Sequence, residues 1–64
     1  MAIQLKAARV NANLTQEAVA KELKISKNSI VNYEKYNSKP SVELAKKFAT
    51  LYGMKVDDII WSAK

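Results

Sequence analysis

The chain is 64 residues long, carries 11 basic and 6 acidic side chains for a formal net charge of +5, and has neither Cys nor His. That length suits one domain over 1–64, and without Cys no disulfide framework or thiolate zinc site can brace it, so stability must come from the core. The basic excess suits a polyanionic partner, nucleic acid before an anionic membrane surface. The catalytic inventory is correspondingly thin. The commonest general base and the strongest thiol nucleophile are both missing. The adjacent acids Asp57 and Asp58 would point about 100° apart on a helix, and there is no Gly-rich phosphate loop. No enzyme, metal site, cofactor or small-molecule ligand is expected.

Caps and apolar spacing predict five helical segments. The first runs from about Ile3 to Ala12, with Leu5, Ala8 and Ala12 on one face; Asn13 follows, a residue that tolerates the left-handed conformation ending a helix. Thr15 is the N-cap of the second, Glu17 meets the positive end of its dipole, and Val19, Ala20 and Leu23 form its apolar face. The third begins after a second cap, Ser26, and turns Ile30 and Tyr33 inward. The fourth starts around Ser41, behind Pro40, with an inner stripe of Leu44, Ala45, Phe48, Ala49 and Leu51, and Gly53 ends it. A short fifth helix spans about Val56 to Ser62, with Asp57 and Asp58 at its start. Ile59, Ile60 and Trp61 pack back from it, a dimer contact being the other place for Trp61. The expected fold is all-α, a compact five-helix domain.

The second and third segments are separated by little more than Lys24, Ile25 and Ser26. So short a connection makes two helices cross steeply, as in a helix-turn-helix, here covering about 15–35. Ile25 is the apolar residue placed to plug the angle between them. No apolar run approaches the ~20 residues of a membrane span, and Met1 to Arg9 lacks the apolar segment of a signal peptide. A cytoplasmic location is expected.

The stretch Leu14–Glu34, reading LTQEAVAKELKISKNSIVNYE, resembles the helix-turn-helix of phage repressors and Cro-like (XRE-type) regulators. Lys39, Pro40 and Ser41, then Leu51, Tyr52 and Gly53, extend the likeness over essentially the whole chain. The resemblance implies a lambda-repressor-like domain whose third helix enters the major groove of double-stranded DNA. Lys27, Asn28 and Asn32 would then reach base edges, and Val31 a thymine methyl. Asn28 and Asn32, four apart, share a helix face. The bland alternative is a solvated helix face. By the same resemblance, Gln16 and the helix N-terminus beside it would hold a phosphate. Ser29, Lys35, Tyr36, Asn37, Ser38 and Lys39 would clamp a backbone on the other side. Arg9 and Glu34 would form a structural ion pair. A homodimer on a near-palindromic operator is expected.

Three positions depart from the family pattern. Lys24 stands where the turn usually has Gly and is expected to adopt a left-handed conformation at some cost. Tyr36 stands where the loop after the recognition helix usually has Gly, with Asn37 placed to take the left-handed position instead. Lys55 stands where Ser or Thr usually caps the fifth helix. The alternative function is a protein-binding module on the same fold, such as the antitoxin of a toxin–antitoxin pair. A membrane-surface peptide is disfavoured, because the apolar residues are divided among several capped segments.

Overall fold

Each helix of this chain begins on a hydroxyl cap or an extended residue and ends on a left-handed one. The computed structural model describes residues 1–63. It holds β1 (Ile3–Gln4), α1 (Leu5–Asn11), α2 (Gln16–Leu23), α3 (Lys27–Glu34), α4 (Val42–Tyr52), a 3-10 turn (Val56–Asp58) and β2 (Ile59–Ile60). The Thr15 hydroxyl accepts from the Ala18 amide at 3.0 Å, Ser26 from Ser29 at 3.1 Å and Ser41 from Leu44 at 3.2 Å. Each bond satisfies one of the amide donors that a helix start leaves free.

The four helix ends follow one pattern. Asn13, Lys24, Tyr36 and Gly53 all have positive φ, between 58° and 68°. The residue after each donates its amide five positions back: Leu14 to Arg9, Ile25 to Ala20, Asn37 to Asn32 and Met54 to Ala49. This is the Schellman closure, usually completed by an apolar side chain just beyond the left-handed residue. Leu14, Ile25 and Met54 supply it, each packed against the core. Asn37 does not, and it is Tyr36, not Asn37, that turns left-handed after α3. The expectation for that loop is corrected on this point.

Phe48, Leu5, Ile30 and Val19 are fully buried at the centre, joined by Ala8, Ala20, Ala49, Tyr52 and Ile59. Phe48 is the hub. Tyr33 meets it edge-on at 5.9 Å between ring centres, and Tyr52 and Trp61 lie tilted against it at 6.0 Å. Trp61 is thus packed on the core, and its indole N–H donates to the Val56 carbonyl at 2.9 Å. On α4 it is Tyr52, four residues beyond Phe48, that completes the buried stripe, while Leu51 is half-buried.

The ends of the chain also differ from expectation. The helix placed from Ile3 starts at Leu5, because Ile3 and Gln4 pair in parallel with Ile59 and Ile60. The fifth helix is a single 3-10 turn that runs straight into β2, so the described residues form four α-helices and a two-stranded clasp. Lys55 gives that turn no side-chain cap, and the β-branched pair behind it favours extended backbone. The all-α helix-turn-helix class stands with this amendment.

Candidate nucleic-acid interface

α3 is anchored by one side and open on the other. At about 100° per residue, Lys27, Val31, Asn28 and Asn32 fall within roughly 140° of arc, and Ile30 lies outside it. Ile30 is fully buried and Tyr33 is packed on Phe48, so the first arc is turned away from the core. Lys27 and Asn28 are exposed, while Val31 and Asn32 are half-buried. The Ser26 hydroxyl caps the helix and also lies 2.9 Å from that of Ser29. Ser29 therefore spends both its amide and its hydroxyl on the cap.

Lys27 is not free. Its ammonium lies 3.1 Å from Glu17 Oε2, across from α3 to the first turn of α2. The hydrogen bond from Lys27, the Glu17 backbone amide and the Lys27 charge together hold the Glu17 carboxyl below its ordinary value of 4.5.

Beneath the open face runs a nearly buried polar chain. Arg9 Nε donates to Glu34 Oε2 at 2.6 Å, and Arg9 Nη1 donates to the Leu14 carbonyl at 2.8 Å. Gln16 Nε2 donates to Glu34 Oε1 at 3.0 Å. The side chains of Arg9 and Glu34 are 11% and 4% exposed, so two charges are taken from water and compensated by each other. One N–H of the Gln16 amide is thereby committed to Glu34, which leaves its second for a partner in front of α2. The Tyr52 hydroxyl is buried with no hydrogen-bond partner among the described residues. Burial first, and the Glu34 charge second, push its pKa well above the ordinary 10.0.

After α3 the loop carries Lys35, Asn37, Ser38 and Lys39, all exposed. Tyr36, grouped with them at the sequence level, is instead an internal tie. Its hydroxyl accepts from the Leu5 amide at 3.3 Å and donates to the Ile60 carbonyl at 3.2 Å, joining the loop to the first residue of α1 and to β2. The sequence carried no signal for this, because the partners lie 31 and 24 residues away. A groove between α2 and α4, lined by Glu22, Leu23, Lys46, Lys47, Thr50 and Leu51, was also invisible in the sequence. No helix among the described residues is long and apolar enough to cross a membrane.

The model of the helix-turn-helix family matches residues 5–59, from the first residue of α1 to the first of β2. The chain belongs to the helix-turn-helix family. It is 45% identical over 56 residues to an uncharacterised HTH-type transcriptional regulator of Methanocaldococcus jannaschii, covering 88% of this chain and 85% of that one. A second uncharacterised HTH-type transcriptional regulator, from Archaeoglobus fulgidus, is 37% identical over 59 residues, 92% of this chain and 83% of its own. The cryptic phage CTXphi transcriptional repressor RstR of Vibrio cholerae is 35% identical over 52 residues, 81% of this chain but only 47% of the repressor. No solved structure matches. The matched span of this helix-turn-helix protein includes all four α-helices, the arc of α3 and the Arg9–Glu34–Gln16 chain.

Proposed function

We propose that the protein is a sequence-specific double-stranded DNA-binding transcriptional regulator, a small repressor rather than an enzyme. The observation that carries this is the two-sided character of α3. Ile30 and Tyr33 lock it to the core, while Lys27 and Asn28 at its start, with Val31 and Asn32 one turn further on, form an arc turned away from the core. A recognition helix enters the major groove by that end. Asn28 and Asn32 present amides suited to adenine, Lys27 an ammonium suited to guanine acceptors, and Val31 a methyl surface suited to thymine.

Phosphate grips lie on either side. The second N–H of Gln16 and the start of α2 serve one backbone, and Lys35, Asn37, Ser38 and Lys39 serve the other. Ser29, occupied with Ser26, contributes by exchanging that bond. Arg9 and Glu34 hold Gln16 in place and read no base. The relatives named as transcriptional regulators, and the one named as a repressor, support the same role.

The domain binds as a two-fold dimer over a near-palindromic operator. Half-site centres one helical turn apart are separated by ~34 Å. One copy extends 27 × 23 × 20 Å, so two copies fit at that spacing without overlap. The groove between α2 and α4 offers a protein partner only Leu23 and Leu51 as apolar floor, so DNA reading stands ahead of an antitoxin role. Selection from random duplex DNA at two salt concentrations tests the proposal. An enriched near-palindrome whose binding weakens as salt rises supports it. Salt-sensitive binding with no enriched sequence would reduce the basic face to a non-specific grip and overturn it.

A further inference from the structure

Three of the four left-handed helix ends are plugged by the residue that follows, and the fourth is not. Leu14, Ile25 and Met54 pack against the core, whereas Asn37, their counterpart after α3, is exposed. The inward role passes to Tyr36 itself. It stands at φ 62°, a conformation that is costly for a residue with a side chain and easy for Gly. Its hydroxyl reaches two backbone groups from opposite ends of the chain, the Leu5 amide and the Ile60 carbonyl. The first is a donor of the kind a helix start leaves free, and Gln4, at the cap position of α1, makes no side-chain bond there. At the far end of the loop Pro40 is buried, with a φ that its ring fixes. Asn37, Ser38 and Lys39 thus form an exposed bridge between two inner anchors.

We propose that Tyr36 is a positioning residue that holds the loop after α3 in its phosphate-binding shape, acting through Lys35, Asn37, Ser38 and Lys39 without touching DNA itself. The inference rests on the DNA-binding role proposed above and names what shapes one of its two phosphate grips. A loop already in its binding shape has less conformational freedom to lose when DNA arrives. Without the hydroxyl the near anchor is gone, and the phosphate contacts must order the loop as they form. Those contacts carry no sequence information, so the loss falls equally on every duplex.

The test compares affinity for the selected operator and for a scrambled duplex of equal length. The proteins are the wild type, Y36F, Q4S/Y36F, K35A/K39A and K35A/Y36F/K39A, with folding checked by circular dichroism. Y36F keeps the ring and removes only the hydroxyl. Q4S gives α1 a local side-chain cap, so it restores stability at that helix start, leaves the loop untied and carries the test if Y36F alone folds poorly. Y36F weakens binding to both duplexes alike, by about 3–10-fold. Q4S/Y36F stays as weak, and most of the loss disappears once Lys35 and Lys39 are Ala. Affinity that returns with stability in Q4S/Y36F, or a Y36F loss undiminished without the two Lys, would overturn the proposal and leave Tyr36 a structural tie only. A loss confined to the operator would overturn it as well, by placing Tyr36 in sequence reading. A wild type that binds neither duplex removes the DNA-binding role itself. A wild type that binds both, with affinities unmoved in Y36F, removes only the part assigned to Tyr36.

Discussion

Lys24 and Tyr52 each carry a visible local cost in this fold. Lys24 closes α2 with φ at 58°, a conformation that costs an L-residue roughly 1–2 kcal/mol and costs Gly almost nothing beyond its looser unfolded chain. Lys24→Gly should therefore stabilise the domain by about 0.5–1 kcal/mol in denaturant unfolding, and a loss of stability would contradict the left-handed turn. Tyr36 shares the strain but offsets it through its two hydrogen bonds, to Leu5 at the start of α1 and to Ile60 of β2, so the same replacement there carries no such gain. Tyr52 hides a hydroxyl with no partner among the described residues. Tyr52→Phe removes that group at nearly constant shape and is expected to be neutral or stabilising by up to about 1 kcal/mol. The raised pKa adds a pH signature. The folded chain keeps the Tyr52 proton where the unfolded chain begins to lose its own, near 10, so this contribution is complete below pH 10 and falls away above it. The Phe variant should lose stability less steeply between pH 10 and 11. Identical slopes would show that Tyr52 does not titrate differently on folding.

At the scale of elements, the three hydroxyl caps and three of the four left-handed helix ends were legible because each depends on residues adjacent in the chain. Thr15, Ser26 and Ser41 stand before apolar periodicity, and Asn13, Lys24 and Gly53 stand after it. What the sequence hid is long-range. The pairing of Ile3 with Ile59 and Gln4 with Ile60 converts the start of one expected helix and two residues of another into a clasp. Tyr36 was misplaced because its partners come from both ends of the chain. The α3 arc follows from helical spacing alone, but the Glu17–Lys27 bond across it depends on how α2 and α3 cross. The Arg9–Glu34 pair joins α1 to the end of α3 and also holds Gln16, so the interface is built on it. Glu34→Gln should cost about 3–5 kcal/mol, because it strands the Arg9 charge in a nearly dry site. Thermal or urea unfolding measures this, and a loss below about 1 kcal/mol would mean the pair is better solvated than its burial implies.

For the molecule as a whole, division of labour is the central claim: the α3 arc specifies sequence and the surrounding loop and helix start supply affinity. The net charge of +5 gives the second without the first, since phosphate attraction is indifferent to sequence. The most direct measurement repeats the selection from random duplex DNA with Asn28→Ala plus Asn32→Ala, and separately with Lys35→Ala plus Lys39→Ala. The Asn pair should blur the consensus at the base positions it reads, each lost contact being worth ~1–3 kcal/mol of discrimination. The Lys pair should keep the consensus, weaken binding to every sequence alike and flatten the salt dependence by about two phosphates' worth. A consensus that stays sharp without the two Asn side chains, or blurs without the two Lys, would place sequence reading somewhere other than the arc of α3.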